Sequence, residues 1–232
     1  VAIEQGGLWT VAALDYELGY LLEPAAAPAG WPFEAKQCLA RLWRFERRIE
    51  LDAAAADAWL IAQGGQLPAG VAGLQSGVSE ADYLAAVRRI QDYIADGDCY
   101  QVNFTLPLNF EWFGSPLALY SRLRERQPVS YGGFIGDADG GIVSLSPELF
   151  LARCGDRLLT RPMKGTAAKN LPAEHLLRST KDLAENLMIV DLLRNDLARV
   201  ALPGTVKVPV LCGLESYANV HHLVSVVQGG LR

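Results

Sequence analysis

The sequence predicts an α+β chain, in which antiparallel strands and separate helices follow one another without a repeating βα rhythm. Three observations carry that expectation. A turn signal, Asp137-Ala138-Asp139-Gly140-Gly141, joins residues 130–135 to residues 141–153, and a short Asp/Gly turn between apolar runs can only connect antiparallel strands. Ser79-Glu80-Ala81-Asp82 has the shape of a helix cap, with Val78 and Tyr83 placed to staple the entry. Residues 41–49, Arg-Leu-Trp-Arg-Phe-Glu-Arg-Arg-Ile, alternate polar and bulky side chains at period two, as a half-buried strand does.

In chain order, residues 7–24 read as a strand leading into Tyr16-Glu17-Leu18-Gly19-Tyr20. Residues 25–36, rich in Ala and Pro, read as a loop, 52–63 as an Ala-rich helix, and 64–78 as a glycine-laden connection. That connection is the expected boundary between an N-terminal portion, 1–78, and the main portion, 79–232. The helix opened at Ser79 is expected to reach Asp96 and stop at Gly97, which can take positive φ. Residues 99–108 are expected to form a strand, with Tyr100, Val102, Phe104 and Leu106 facing one way and Gln101, Asn103 and Thr105 the other. The polar face meets either solvent or a pocket. A strand is expected at 157–161 and a helix, broken once, over 173–199. On its wheel Leu183, Leu187, Val190 and Leu197 share one face while Glu185, Ile189, Leu192 and Asp196 share nearly the opposite one. Apolar residues on both faces predict burial on both sides. Glu185 would then lie among buried groups, where an ionised carboxylate needs a cation or several donors. Asp191, Arg194, Asn195 and Asp196 read as helix-end polar structure.

At 232 residues and 50% hydrophobic, the chain can bury a sizeable core. A formal net charge of −5 with interspersed signs argues against a nucleic-acid or anionic-membrane partner. No apolar run approaches the roughly 20 residues of a membrane span, and Val1–Gly7 lacks the pattern of a secretory signal. The four cysteines, Cys38, Cys99, Cys154 and Cys212, have no C-x-x-C spacing, so structural zinc is not expected and reduced thiols in the cytoplasm are. The opening strand and the stop at Gly229-Gly230-Leu231-Arg232 suggest truncation at both ends.

Lys164 stands between Pro162-Met163 and Gly165-Thr166, where a proline stiffens the chain and a glycine permits close approach. A solvated surface cation is the plain reading. The alternative comes from two acids at ends of regular elements: Glu148 in Ser146-Pro147-Glu148-Leu149-Phe150, and Glu185 in Asp182-Leu183-Ala184-Glu185-Asn186. Lysine plus two such acids suggests nucleophile, general acid and metal ligand.

Five motifs now stand in order: Gly97-Asp98-Cys99-Tyr100-Gln101-Val102-Asn103, Ser146-Pro147-Glu148, Pro162-Met163-Lys164-Gly165-Thr166, the run Glu185 to Asp196, and Val220-His221-His222-Leu223-Val224-Ser225. Together they resemble the chorismate-utilising enzymes over nearly the whole chain. The resemblance implies a layered antiparallel β-sandwich with outer helices. It further implies amination of chorismate to 4-amino-4-deoxychorismate, with ammonia from a glutamine amidotransferase partner, in para-aminobenzoate and folate biosynthesis. Lys164 points to that branch, because the anthranilate-forming enzymes of the family typically carry alanine there. Gln101, where water-adding members carry lysine, argues against that third activity. Anthranilate formation is the alternative; an inactive chain with only binding or scaffold properties is another.

On this reading Glu148 protonates the leaving C4 hydroxyl and Lys164 enters the ring at C2. Glu148 must then hold a proton well above the ~4.3 of free glutamate, through desolvation. Lys164 must be neutral, a shift from ~10.4 of about three units, or roughly 4 kcal/mol. Otherwise Glu148 is a strand-end acid capping a turn. The resemblance also implies Mg2+ held through Glu185, with substrate contacts from Thr166, His222 and Gln101; His221 should point elsewhere, and His222 taken alone reads as a core histidine. Pro128-Val129-Ser130 resembles part of a tryptophan pocket found in some members.

Overall fold

The computed structural model describes residues 7–31, 38–137 and 140–231. The chain divides into two compact units, one ending at Asp57 and the other beginning at Ala58.

In the first unit, β1 (Trp9–Leu14) pairs antiparallel with β2 (Ala40–Phe45), Trp9 opposite Phe45 and Leu14 opposite Ala40. The strand expected over 7–24 is therefore shorter. Asp15 closes the ladder, its N–H donating to Leu39 O, and its carbonyl accepts from Leu18 N–H to open α1 (Leu18–Leu22). A 3-10 turn, Pro24–Ala26, follows where a loop was expected; residues 32–37 lie outside the described residues. The half-buried strand expected at 41–49 ends at Phe45, and Arg48 instead lays its guanidinium 4.5 Å from the centre of the Trp9 ring, a cation–π contact. The Ala-rich segment is helical, as α2 (Ala53–Ala62).

The second unit contradicts two expectations. The connection 64–78 contains a strand, β3 (Gly70–Ser76), paired with β4 (Leu108–Phe113). Gly70 disguised it: a Cβ there would meet the Phe113 ring at 2.9 Å, so packing demands the residue that reads as a breaker. Conversely, residues 101–107 are not a strand. They alternate correctly, but pairing with β3 begins only at Leu108, opposite Ser76, and alternation without a partner makes no sheet. Between them α3 (Glu80–Asp96) forms as its caps require. Ser79 Oγ accepts from Asp82 N–H at 3.1 Å, and Gly97 closes the helix at φ 82°.

After α4 (Pro116–Arg126), β5 (Tyr131–Asp137) and β6 (Gly140–Ser146) form the expected hairpin, Tyr131 opposite Ser146 and Asp137 opposite Gly140. The turn residues Ala138 and Asp139 lie outside the described residues. The single strand expected over 141–153 is two. Pro147 has no N–H to continue a ladder, and the chain leaves β5–β6 there to enter a second sheet as β7 (Leu149–Cys154).

That second sheet carries the core. Its strands are β7, β8 (Arg157–Arg161), β9 (Met163–Ala168), β10 (Lys207–Ser216) and β11 (Val220–Gly230). The order is β10-β11-β8-β7, with β9 also on β11, and every pairing is antiparallel. β8 and β9 form one line along β11, interrupted at Pro162, whose carbonyl still accepts from Ser225 N–H at 3.0 Å. The expected break in the last helix falls at Ser179, between α5 (Glu174–Arg178) and α6 (Thr180–Ala198), and Ser179 Oγ caps α6 by accepting from Asp182 N–H. Leu158, Val190, Leu197 and Val227 bury one cluster between α6 and the sheet; Ala167, Leu176 and Leu223 bury another beneath α5. Burial of α6 on both faces does not occur. Asn186, Val190 and Leu197 are its buried residues, while Leu187 and Leu192 remain 54% and 55% exposed, because the helix presents one face to β9 and β11.

Candidate active site

Four candidates, Glu148, Lys164, Thr166 and His222, meet on or beside β9. Glu148, in the link from β6 to β7, accepts a hydrogen bond at Oε1 from Met163 N–H at 3.0 Å, so the proposed acid adjoins the residue before Lys164. Its place is fixed locally: Ser146 Oγ accepts from Glu148 N–H at 3.3 Å and donates to Glu148 O at 3.0 Å, a hydroxyl turn. The desolvation expected for Glu148 is not found. It is exposed, because β7 is the outer strand of its sheet.

Lys164 is half-buried and lies opposite Leu223 on β11, whereas Thr166 lies opposite His222. Gly165 is the extra residue between those pairs, at φ 81°, a bulge of the kind in which glycine takes the left-handed position. Its place is crowded as well, since a Cβ on Gly165 would stand 3.0 Å from Asp182 Cβ. The bulge brings the Gly165 carbonyl within 3.2 Å of His222 Nδ1 and Thr166 Oγ1 within 3.1 Å of the same nitrogen. Thr166 and His222, assigned separately from sequence, thus touch. His221 points elsewhere as expected; it is buried with Nδ1 2.7 Å from Ser216 Oγ.

Glu185 lies on α6 one turn beyond Asp182, the residue against Gly165. Its side chain is 30% exposed, and Lys181 Nζ approaches it only to 3.8 Å, so its oxygens retain capacity for a further cation. No cluster of three His, Cys, Asp or Glu occurs among the described residues. A single carboxylate held only loosely by Lys181 would suit Mg2+, which keeps most of its waters and takes one or two protein carboxylates beside substrate oxygens.

Other assignments stay apart. Gln101 lies half-buried on the irregular segment before β4, and among the described residues no hydrogen bond joins it to β9 or β11. Pro128, Val129 and Ser130 precede β5, with Val129 against Gly132; the neighbouring Tyr131 hydroxyl accepts from Arg161 Nη1 at 3.4 Å.

Two groups escaped the sequence reading. Asn186 is fully buried: its Nδ2 donates to Leu223 O at 3.2 Å, and its Oδ1 accepts from Ser225 Oγ at 2.5 Å and Cys212 Sγ at 3.5 Å. It ties α6 to β10 and β11 immediately beside Glu185. Burial raises the Cys212 thiol above its ordinary value. The second group is Arg161, Glu215 and Tyr217. Arg161 pairs with Glu215 through Nη2 and Oε1, and Tyr217 OH donates to Glu215 Oε2 at 2.8 Å. The Tyr217 phenol is pushed up to about 12, first by burial and then by its hydrogen bond to Glu215. Adjacent acid, aromatic and histidine codes in Glu215-Ser216-Tyr217 and His222 were the available signal, but only the β10–β11 turn shows that they meet.

The sequence profile of the chorismate binding enzymes matches residues 4–232, and the chain belongs to that family. It is 41% identical over 164 residues to aminodeoxychorismate synthase component 1 of Salmonella typhimurium, covering 68% of this chain and 36% of that protein. It is 40% identical over 210 residues to anthranilate synthase component 1 of Thermus thermophilus, covering 88% and 43%. The chain thus spans less than half the length of these relatives. Its fold resembles the crystal structure of anthranilate synthase component I from Streptococcus pneumoniae, with a TM-score of 0.77 at 23% identity, over 97% of this chain and 58% of that one. The menaquinone-specific isochorismate synthase of Escherichia coli is similar at a TM-score of 0.57 and 17% identity, over 72% and 41%. Among the described residues no helix is long and apolar enough to cross a membrane, and the four cysteines are free.

Proposed function

We propose that this chain serves as an aminodeoxychorismate synthase component 1, converting chorismate and ammonia to 4-amino-4-deoxychorismate for para-aminobenzoate and folate synthesis in the cytoplasm. The observation that carries the reading is the hydrogen bond from Met163 N–H to Glu148 Oε1, which sets an acid beside the backbone of a candidate lysine nucleophile. One Glu148 oxygen accepts that bond, and on this reading the other faces the leaving hydroxyl. Lys164 Nζ attacks C2 of chorismate as its lone pair enters the conjugated ring, the C4–O bond breaks, and Glu148 delivers its proton so that water leaves. Ammonia then adds at C4 as the double bonds shift back and the C2–Nζ bond breaks; Lys164 is released as the free amine, and the proton that the added nitrogen sheds returns to the Glu148 carboxylate.

Thr166 and His222 orient the ring from the facing strands, and Gln101 is assigned to the substrate side of its segment. Glu185 would hold Mg2+, which when bound neutralises the substrate carboxylates. Ammonia comes from a glutamine amidotransferase partner, in keeping with the component 1 names of the relatives. Pro128, Val129 and Ser130 are the corresponding candidates for a tryptophan pocket. Anthranilate formation is the second reading, favoured by the Thermus thermophilus relative that covers 88% of the chain. Lys164 opposes it.

Mass spectrometry of the protein incubated with chorismate and no ammonia tests the assignment. An adduct on Lys164, absent from Lys164→Ala, is expected, followed by 4-amino-4-deoxychorismate when ammonia is added. Glu148→Gln, which keeps the size but carries no transferable proton, should lose about 10²–10⁴-fold in turnover with little change in chorismate affinity. Anthranilate as the product, or unchanged amination by Lys164→Ala, overturns the reading.

A further inference from the structure

His222 is held from two directions by groups of different kinds. On the β9 side, Nδ1 lies 3.2 Å from the Gly165 carbonyl and 3.1 Å from Thr166 Oγ1. A carbonyl oxygen can only accept, so the bond to Gly165 requires the proton on Nδ1. A neutral imidazole carries one proton, and Nε2 is then its acceptor.

On the β10 side the ring meets Tyr217, centroid to centroid at 5.5 Å and inclined 72°, an edge-to-face contact. Tyr217 is itself fixed. Its hydroxyl donates to Glu215 Oε2 at 2.8 Å, and the other Glu215 oxygen is paired with Arg161. Arg161 in turn donates to the Tyr131 hydroxyl at 3.4 Å. Arg161 and Glu215 have side chains 30% and 35% exposed, so this chain of contacts is partly withdrawn from water and less screened than a surface pair. Burial and then Glu215 push the Tyr217 phenol up to about 12, so at neutral pH it is protonated and donating.

We infer that Arg161, Glu215 and Tyr217 are positioning residues that hold the His222 ring against Gly165 and so fix it as the Nδ1–H tautomer, with Nε2 as a hydrogen-bond acceptor for a donor on the substrate or on the entering ammonia. The inference rests on the reading of His222 as a substrate-facing group. Neither Tyr217 nor Glu215 needs to touch substrate; they act through the imidazole. A carboxylate that orients a working histidine usually bonds it directly. Here the hold is indirect, through an aromatic edge.

The test is 15N spectroscopy of histidine-labelled protein at about pH 9, well above the ordinary imidazole value of ~6.5, beside kinetics on the same variants. His175 and His221 complete the set of three histidines, and single substitutions assign the signals. Wild-type His222 is expected to show a protonated Nδ1 and an unprotonated Nε2 without ligand. Tyr217→Ala and Glu215→Ala should move both nitrogens toward averaged positions. They should also lower kcat by about tenfold, the scale on which outer partners of a working histidine act, with KM for chorismate nearly unchanged. Tyr217→Phe, which keeps the ring but loses its tether, should fall between. A wild-type Nε2–H tautomer, or a tautomer and kcat unmoved in both alanine variants, overturns the inference. If the tautomer responds as described but His222→Ala aminates chorismate normally, the substrate-facing reading of His222 fails and the hold on the ring stands.

Discussion

Replacing Asn186 by leucine should destabilise the protein far more than a conventional change of one polar residue on a helix. The amide is 0% exposed and makes three hydrogen bonds, to Leu223 O, Ser225 Oγ and Cys212 Sγ. Leucine fills a similar volume, so little cavity is created and the cost is polar. Ser225 Oγ still accepts from Cys212 N–H, but its own proton loses its acceptor in a site that is likewise 0% exposed. An orphaned buried hydroxyl costs about 1–3 kcal/mol, and the lost bond to Leu223 O adds about 1 kcal/mol. The expected destabilisation is therefore about 3 kcal/mol. Urea unfolding measures it, as a lowered midpoint at unchanged slope. Ser225→Ala removes the orphan, so the double variant should be more stable than the sum of the singles by about 1–3 kcal/mol. A loss below about 1 kcal/mol in Asn186→Leu, or strict additivity, would refute the account of Asn186 as the tie between α6 and the sheet.

Gly165→Ala should cost at least about 1–2 kcal/mol from the left-handed backbone alone, and more because its Cβ would stand 3.0 Å from Asp182 Cβ; thermal unfolding reads this, and a neutral result would remove the bulge from the site's architecture. Tyr217 is raised to about 12 from an unfolded value of ~10, so its contribution to stability is complete below ~10 and disappears as pH climbs through the folded value. Tyr217→Phe should flatten that alkaline loss, measured as unfolding midpoints on either side of pH 10. On the proposed reading, chelation of Mg2+ should abolish amination and restored Mg2+ should rescue it. Glu185→Gln should raise the Mg2+ concentration for half-maximal activity, and Lys181→Ala, which removes the cation 3.8 Å from that carboxylate, should lower it slightly.

The parts of this structure that the sequence disclosed are those governed by local chemistry. Ser79 and Gly97 bound α3 because a hydroxyl can cap three residues ahead and a glycine can turn left-handed. The strands flanking the Asp/Gly signal pair as expected, with Asp137 opposite Gly140. What stayed hidden depends on partners distant in the chain. Residues 101–107 have the alternation of a strand yet lack a neighbour, and β3 hides behind Gly70 because Phe113 occupies the space a side chain would need. Leu187 and Leu192 were expected inside, but a wheel cannot say how many faces of a helix are covered. At the site, motif order placed Lys164, Glu148, Thr166 and His222 on elements that do approach one another. The burial of Asn186 and the line from Arg161 to Tyr217 needed the register of β10 on β11, which no local pattern encodes.

The position of β11 also bears on how the polypeptide is made. This strand joins β8 and β9 on one edge to β10 on the other, yet it is the last of the five to be synthesised. Arg157 and Gln228, which meet across it, are 71 residues apart. At roughly 5–20 residues per second, a ribosome takes about 4–14 s to cover that interval. During that time β7, β8 and β9 have emerged with their hydrogen-bonding edges open, and α6 has no sheet on which to close. Nascent chains carrying this sheet should therefore depend on chaperones until β11 emerges, and slow codons between α6 and β11 should lower the yield of native protein.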